Sequence, residues 1–547
     1  MSVKNRGFWI LLATILGSSM AFIDGSVVNV AMPRIQLDLN ASAATVQWVV
    51  EAYALFLGSL ILVGGSLGDI YGRKRMFTYG IIIFAFSSLW CGLTSDITQL
   101  IFARAVQGIG GALLTPESLA IIRASFAEEQ RGKAIGLWSG FSAITSALGP
   151  VIGGWLVQYA SWRWVFFINL PIAVIVLIVV IVFVPESHSE GANRHLDIAG
   201  ACLATLGLGL LVFGLIEANN LGIRNPLVLT CVVVGCITLF AFILVERRSP
   251  SPMLPLQLFR VRAFSGTNLL TFLLYAAMGT TLYFLPFNLI RVQGYTPTEA
   301  GSAMLPFTLL MFSLSRWSGG LVARYGARLP LVIGPLIVCV GYMLFALPGI
   351  GGSYWTTYFP AIVTLGLGMS VTVAPLTTTV MGAVSDQYAG TASGINNAVA
   401  RIGNLIAIAV FGLIVLSIFN LALDQHLTSQ HIPAAVGHLL DAERSKLAGA
   451  EVPDSIDGTT RIILQNSIAQ SFITSFRVAM IIAACLAFLS SLCAWLTVPS
   501  LHGKPPVKHQ AERQCGDNGC TLTYTHSSVA TSSVPAGSSG SATTRDA

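Results

Sequence analysis

Long apolar runs, repeated along almost the whole chain and interrupted only by short polar breaks, decide what this sequence can become. A hydrocarbon layer about 30 Å thick is crossed by about 20 helical residues, and in lipid only a helix or a closed barrel satisfies its own backbone polar groups. Reading the runs between polar breaks gives spans near 8–32, 45–68, 76–95, 98–122, 134–157, 164–184, 197–217, 227–246, 264–290, 299–323, 330–348, 354–380, 390–418 and 471–497. That is fourteen crossings and an all-α integral membrane protein. Only 10% of the 547 residues are charged, against 54% hydrophobic, where soluble domains carry about 25% charged residues. A polar shell cannot be built from this composition. A soluble enzyme, a disordered chain and a nucleic-acid binder acting through a basic face are excluded, so no nucleic-acid partner is expected.

The net charge of +6 is explained by topology. An even number of spans puts both termini on one side of the bilayer. With the amino terminus inside, nineteen Lys and Arg fall on the inner side and eight on the outer, and basic residues mark the cytoplasmic side. The expectation is a multi-pass protein of the inner (plasma) membrane, in contact with the lipid bilayer, with both termini cytoplasmic. Lys4 and Arg6 precede a stretch that is long enough to span and contains Asp24, which argues against a cleaved signal. Residues 420–470 read as the one long outer loop. Its His426, His431 and His438 are better taken as solvated than as metal ligands, so no metal site is expected. The segment 500–547, rich in Ser, Thr, Gly and Pro, reads as a disordered cytoplasmic tail.

An internal repeat divides the chain. GSLGDIYGRKR at 65–75 returns as GGLVARYGAR at 319–328, each at the inner end of a span. Parallel repeats with a substrate site between the halves are a transporter architecture. The spacing predicts a six-helix bundle over 1–184, two inserted transmembrane helices with their linkers over 185–262, and a second six-helix bundle over 263–499. Within the first copy Gly65 would allow close helix approach, and Gly72 a tight turn. Asp69 would pair with Arg73 and Lys74 or cap a helix, forming a conformational latch. In the second copy Ala323 replaces the acid.

The first copy resembles the cytoplasmic signature loop of the major facilitator superfamily. IDGSVVNVAMP (23–33) is similar to the first-span motif of its fourteen-span drug:proton antiporters, the EmrB/QacA type. RAVQGIGGA (104–112) is similar to their fourth-span motif, GLWSGFSAITSALGPVIGG (136–154) to their antiporter motif, and WRWVFFINLPI (162–172) to the segment that follows. The resemblance runs in order along nearly all of 8–497. It implies two six-helix bundles plus two inserted helices, and exchange of substrate against protons. Within the antiporter motif it singles out Gly136, Gly149, Pro150, Gly153 and Gly154, with Thr145 standing where the family usually has glycine. It places an acid at Asp24 and a proton-handling arginine at Arg104.

Read as residues, ionisable groups within spans are costly and mark function. Asp24 lies well inside the first span, where a carboxyl withdrawn from water is suited to load and release a proton. Arg104 cannot deprotonate and would tune a carboxylate, or else form a structural ion pair. Glu51, flanked by Trp48 and Tyr53, either meets a cationic substrate or sits solvated at headgroup level. Glu117, Trp138 and Tyr283 are further substrate-binding candidates, and Arg316 and Arg401 are deep enough to matter. Asn29, Asn169, Asn268, Asn396 and Asn397 serve a pathway or hold helices together. Phe22, Phe141, Tyr275, Met278, Phe284, Met304 and Phe307 either line an adaptable cavity or face lipid and other helices.

No GxxxxGK[ST] stretch accompanies the spans, so ATP is not the expected energy source, and no cofactor is expected. The reading is a proton-coupled antiporter exporting hydrophobic drugs or toxic compounds, cationic ones among the candidates, with a small-molecule substrate and protons as its partners. A periplasmic adaptor protein is a further candidate partner. Alternatives are an exporter of one metabolite, fatty acid or siderophore, a polytopic membrane enzyme, and a non-transporting sensor.

Overall fold

The computed structural model describes residues 3–188, 197–249, 252–385, 388–432, 440–441, 443–452, 456–499, 512–516 and 519–523. The chain divides into two units, Met1–Leu501 and His502–Ala547. The first is built from helices α1 (Val3–Asp38), α2 (Ala43–Tyr71), α3 (Arg73–Leu93), α4 (Ile97–Ser125), α5 (Glu128–Tyr159) and α6 (Trp164–Phe183). After α7 (Ile198–Leu221) and α8 (Pro226–Arg248) come α9 (Arg262–Phe287), α10 (Pro297–Ala303), α11 (Leu305–Gly319) and α12 (Leu321–Tyr325). The last four are α13 (Arg328–Phe345), α14 (Phe359–Gly382), α15 (Ala389–Ser429) and α16 (Gly458–Thr497). Thirteen helices among the described residues are long and apolar enough to cross a membrane.

The expected span 299–323 is the one that departs from this pattern. It is three helical pieces, α10 to α12, broken at Met304 and at Gly320. Pro306 lacks a backbone N–H and crowds the carbonyl of Ser302, which ends α10 just ahead of it. The Gly319–Gly320 pair marks the second break. Spans thirteen and fourteen are longer than read, because α15 continues to Ser429 and α16 begins at Gly458. The expected 420–470 loop therefore shortens to the stretch between those helices. His426 is helical, His431 follows the helix end at φ 53°, and His438 lies outside the described residues. Arg477 sits mid-helix on α16 and donates to the carbonyls of Leu347 and Pro348, both at 3.2 Å.

Helices α2 and α4 pack closely, as do α3 and α4, and α1 and α5; α9, α13, α15 and α16 form a corresponding set among themselves and with α14. The inserted pair α7 and α8 pack on each other, and α7 lies against α2 and α15. Both turns of the internal repeat use glycine at positive φ, Gly72 at 110° and Gly326 at 76°, a conformation that carries no Cβ penalty only in glycine. Close approach around the first copy is made by Gly64 and Gly68. A methyl on Gly64 would lie 2.1 Å from the carbonyl oxygen of Ala112, and one on Gly68 2.1 Å from the Glu117 carboxylate. Gly65, expected to make this contact, leaves ordinary spacing of 3.6 Å to Pro116.

In the second unit, Glu512–Gly516 (β1) and Gly519–Thr523 (β2) form an antiparallel hairpin. The remainder of the expected disordered tail falls outside the described residues.

Candidate functional site between the helices

Asp24, on α1, and Arg104, on α4, are both fully buried, and their side chains meet at 2.5 Å through Arg104 Nη1 and Asp24 Oδ2. The same Nη1 donates to Gln107 Oε1 at 2.7 Å, and Nε donates to the carbonyl of Val49 at 2.9 Å. Gln107 Nε2 donates to Asp24 Oδ1 at 2.9 Å and to Ser88 Oγ at 2.7 Å, while Asn169 Nδ2 reaches Ser88 Oγ at 3.0 Å. The guanidinium lies 4.3 Å above the Tyr53 ring. A buried ion pair is held best when its remaining donors and acceptors are also satisfied, and Arg104 has acceptors for Nε and Nη1 in Val49, Gln107 and Asp24. The sequence pointed to Asp24, Arg104 and Asn169. It missed Gln107 and Ser88, although Gln107 stands one helical turn after Arg104 on the same face.

Tyr53 separates this network from a central cavity of about 470 Å³. Phe22, Tyr275, Met278, Met304 and Phe307 form apolar wall, and Asn29, Asn397, Asn404 and Arg401 supply polar groups. A small void of about 130 Å³ touches Arg104, Tyr53 and Arg401 together. Phe141 is instead exposed, and Asn396 ties α15 to α9 by donating to Asn268 Oδ1 at 3.2 Å and Thr271 Oγ1 at 2.7 Å.

A second cavity of about 550 Å³ shares Phe22, Asn397 and Arg401 with the first and extends to Asp69, Arg73, Glu117, Arg123 and Trp138. Trp138 donates from Nε1 to Ser18 Oγ at 3.0 Å. Both oxygens of Glu117 are buried without a hydrogen-bond partner. Asp69 pairs with Arg73 at 2.7 Å. Lys74 does not join that pair: its ammonium donates to the carbonyl of Ile181 at 3.0 Å, and its backbone N–H donates to Glu186 at 3.0 Å. Glu186, which also approaches Arg75 at 3.9 Å, is a brace on the signature loop that sequence reading missed.

Glu51 is fully buried and both its oxygens lack a partner, so the solvated headgroup position does not hold. It does not line the central cavity either. Tyr283 also stands apart from that cavity, lining a small pocket with Gln47, Gly412 and Leu447.

The antiporter-motif glycines on α5 divide by environment. Methyl groups on Gly149 and Gly153 would collide with Ser26 and Val27 of α1, at 2.0 and 2.4 Å. One on Gly154 would lie 2.2 Å from the carbonyl oxygen of Pro297, and the reciprocal one on Gly301 2.0 Å from that of Pro150. Here α5 and α10 touch backbone to backbone. Gly136, nearer the amino end of α5, is exposed, and a methyl added there would meet nothing within 4 Å. Thr145 bonds back to its own helix through Phe141 and Ser142 carbonyls, both at 3.0 Å. The Gly149–Gly154 end of α5 is thus packed against α1 and α10, whereas Gly136 has no close neighbour.

Residues 14–408 match the family described as Major Facilitator Superfamily. The chain is 32% identical to the multidrug resistance protein Stp of Mycobacterium tuberculosis (strain CDC 1551 / Oshkosh), covering 89% of this chain and 91% of that one. It is 30% identical to the tetracenomycin C resistance and export protein of Streptomyces glaucescens, covering 90% and 92%. The solved structure of a bacterial homologue of the human lysosomal transporter Spinster has the same fold, with TM-score 0.62 at 18% identity, over 90% of this chain and 98% of that one. Fourteen apolar stretches, a doubled glycine turn, a cavity between helix sets and these likenesses converge: the chain belongs to the Major Facilitator Superfamily, as a multi-pass membrane protein with the fold of its transporters.

Proposed function

We propose that this protein is a proton-coupled antiporter that exports hydrophobic small molecules. The observation that carries the reading is the fully buried Asp24–Arg104 pair, one tyrosine ring away from an apolar cavity. A proton arriving at Asp24 would neutralise the acid and free the Arg104 fork. The tie between α1 and α4 would then weaken, biasing the balance between two conformational states. Substrate would bind in the shared cavity, with Trp138 and Glu117 at its approach.

The division into two six-helix bundles joined by an inserted pair belongs to the same proposal, with α5 and α10 as one contact between the halves and α2 and α15 as another. With both termini in the cytoplasm, the end that carries Gly136 is the inner one and the α5–α10 contact lies at the outer one. Asp69 and Arg73, with Lys74 and Glu186 beside them, would then latch the inner end in the alternate state. The names of the relatives favour export of toxic compounds; a second reading, export of one antibiotic, draws on relatives such as the tetracenomycin C protein and a puromycin resistance protein of Streptomyces alboniger.

The test is proton flux in proteoliposomes under an imposed pH gradient, challenged with a panel of lipophilic cations, acids and neutral drugs. Compound-triggered proton movement in the wild type, lost in Asp24→Asn, is the expected outcome. Compound flux without any proton movement in the wild type would overturn the antiport reading.

A further inference from the structure

A guanidinium in the middle of a membrane protein needs a counter-charge, because the group keeps its proton under all ordinary conditions and its desolvation is costly. Arg104 has one in Asp24. Arg401, on α15, has none: among the described residues it makes no ion pair and no hydrogen bond. It lines three cavities at once, those of about 470, 550 and 130 Å³. No Asp or Glu lines the 470 Å³ cavity. Asp24 is held by Arg104, Gln107 and Asn169, and Asp69 by Arg73. Glu117 lines the 550 Å³ cavity together with Arg401, but its carboxylate lies against Gly68 and makes no ion pair with the guanidinium. The groups facing Arg401 are the rings of Tyr53 and Tyr275 and the amides of Asn397 and Asn404.

We propose that Arg401 is the headgroup site for an organic anion: an apolar, ring-bearing compound carrying a carboxylate or an ionised phenol or enol. The planar fork of a guanidinium matches a carboxylate in two parallel hydrogen bonds, and a ligand bringing that charge would supply what the protein lacks. The rest of the molecule would lie against Met278, Met304, Met311 and Met369, whose flexible thioethers adapt to varied ring systems. A volume of several hundred Å³ suits a drug-sized ligand. The sequence had made cationic compounds candidates through Glu51, but that acid lies off this cavity. The inference rests on the export reading only for the claim that bound compounds are carried across the membrane; binding itself is independent of it.

Three probes that share one ring system separate the possibilities: biphenyl-4-carboxylate, biphenyl-4-ylmethanol and biphenyl-4-ylmethyl-trimethylammonium. Titration calorimetry on the full chain in nanodiscs, with empty discs subtracted, gives their affinities. For the wild type the carboxylate is expected to bind at least tenfold tighter than the alcohol, with the ammonium weakest. Arg401→Gln should erase that order and Arg401→Lys should keep part of it. Because the order is read first in the wild type, a variant that fails to fold does not leave the question open. Equal binding of carboxylate and ammonium to the wild type overturns the proposal, as does an order unchanged in a folded Arg401→Gln. Loss of the carboxylate preference when chloride is added would assign Arg401 to a halide ion and also overturn it. Counterflow with the same probes in proteoliposomes tests the other reading. Carboxylate binding without flux of any probe would remove export and leave the anion site. Proton-linked flux of the ammonium alone would do the reverse.

Discussion

Asp24 and Arg104 show how one buried pair ties stability to function. Removing one partner of such a pair strands the other charge, at a cost of about 3–5 kcal/mol, whereas removing both is far less damaging. Asp24→Asn is therefore expected to lower stability by about 3 kcal/mol and to stop compound-driven proton movement. Asp24→Asn with Arg104→Gln should recover most of the stability and none of the coupling. Denaturation and proton flux measured on the single and double variants check both halves, since coupled residues give non-additive energies. Glu51 makes the opposite case. Its two oxygens are buried without partners, and a neutral amide of the same shape has less to lose on burial. Glu51→Gln is expected to raise the thermal midpoint in detergent, and a fall would show that the carboxylate has a partner in another state of the protein.

At the level of elements, the two ends of α5 behave differently although both are rich in glycine. Gly154 and Gly301 let α5 and α10 meet through backbone atoms, which a side chain would prevent. Gly154→Val is expected to hold that end apart, slow transport by tenfold or more, and cost about 1–3 kcal/mol through overpacking. Gly136→Ala meets nothing and should be neutral or stabilising by up to about 1 kcal/mol, from helix propensity alone. Thermal unfolding of both variants, with transport rates for the first, separates a contact glycine from a spare one. The motif was legible in the sequence as a row of small residues. Which of them touch, and what they touch, depends on where α1 and α10 come to lie.

At the level of the whole molecule, the end where α5 and α10 meet is held by more than those two helices. Arg291 Nη2 donates to the carbonyl of Pro33 at 3.1 Å, joining α1 to the segment after α9. The stretch Arg444–Gly449 folds back over the same end: Lys446 Nζ donates to Asn40 Oδ1 at 2.6 Å, and Gln36 Nε2 to the Lys446 carbonyl at 3.2 Å. Leu447 is buried there at φ 54° and ψ −128°, a conformation that costs a non-glycine residue about 1–3 kcal/mol. Lys446→Ala with Asn40→Ala should loosen that end. A cysteine placed at Asn29, on the central cavity, is then expected to react severalfold faster with an impermeant thiol reagent added from the side of the 444–449 segment. An unchanged rate would assign closure to the α5–α10 contact and the Arg291–Pro33 bond.

Membrane residence, thirteen of the fourteen expected helical spans and the doubled glycine turn were legible in the sequence by itself. The physical reason is that lipid imposes local rules: an apolar run of fixed length, a helix that satisfies its own backbone, and a high cost for each buried charge. Pairing is not local. The sequence could name Asp24, Arg104 and Arg401 as lying within spans and leave Glu51 between a substrate contact and the headgroup level, but not show that the first two neutralise each other while Glu51 is sealed away and Arg401 faces an open cavity. Nor could it show that Gln107 and Ser88 complete a network, that the tenth span breaks in two places, or that the far loop returns over α1 and α2. Those outcomes depend on which helices meet and at what depth, and only the tertiary structure decided them.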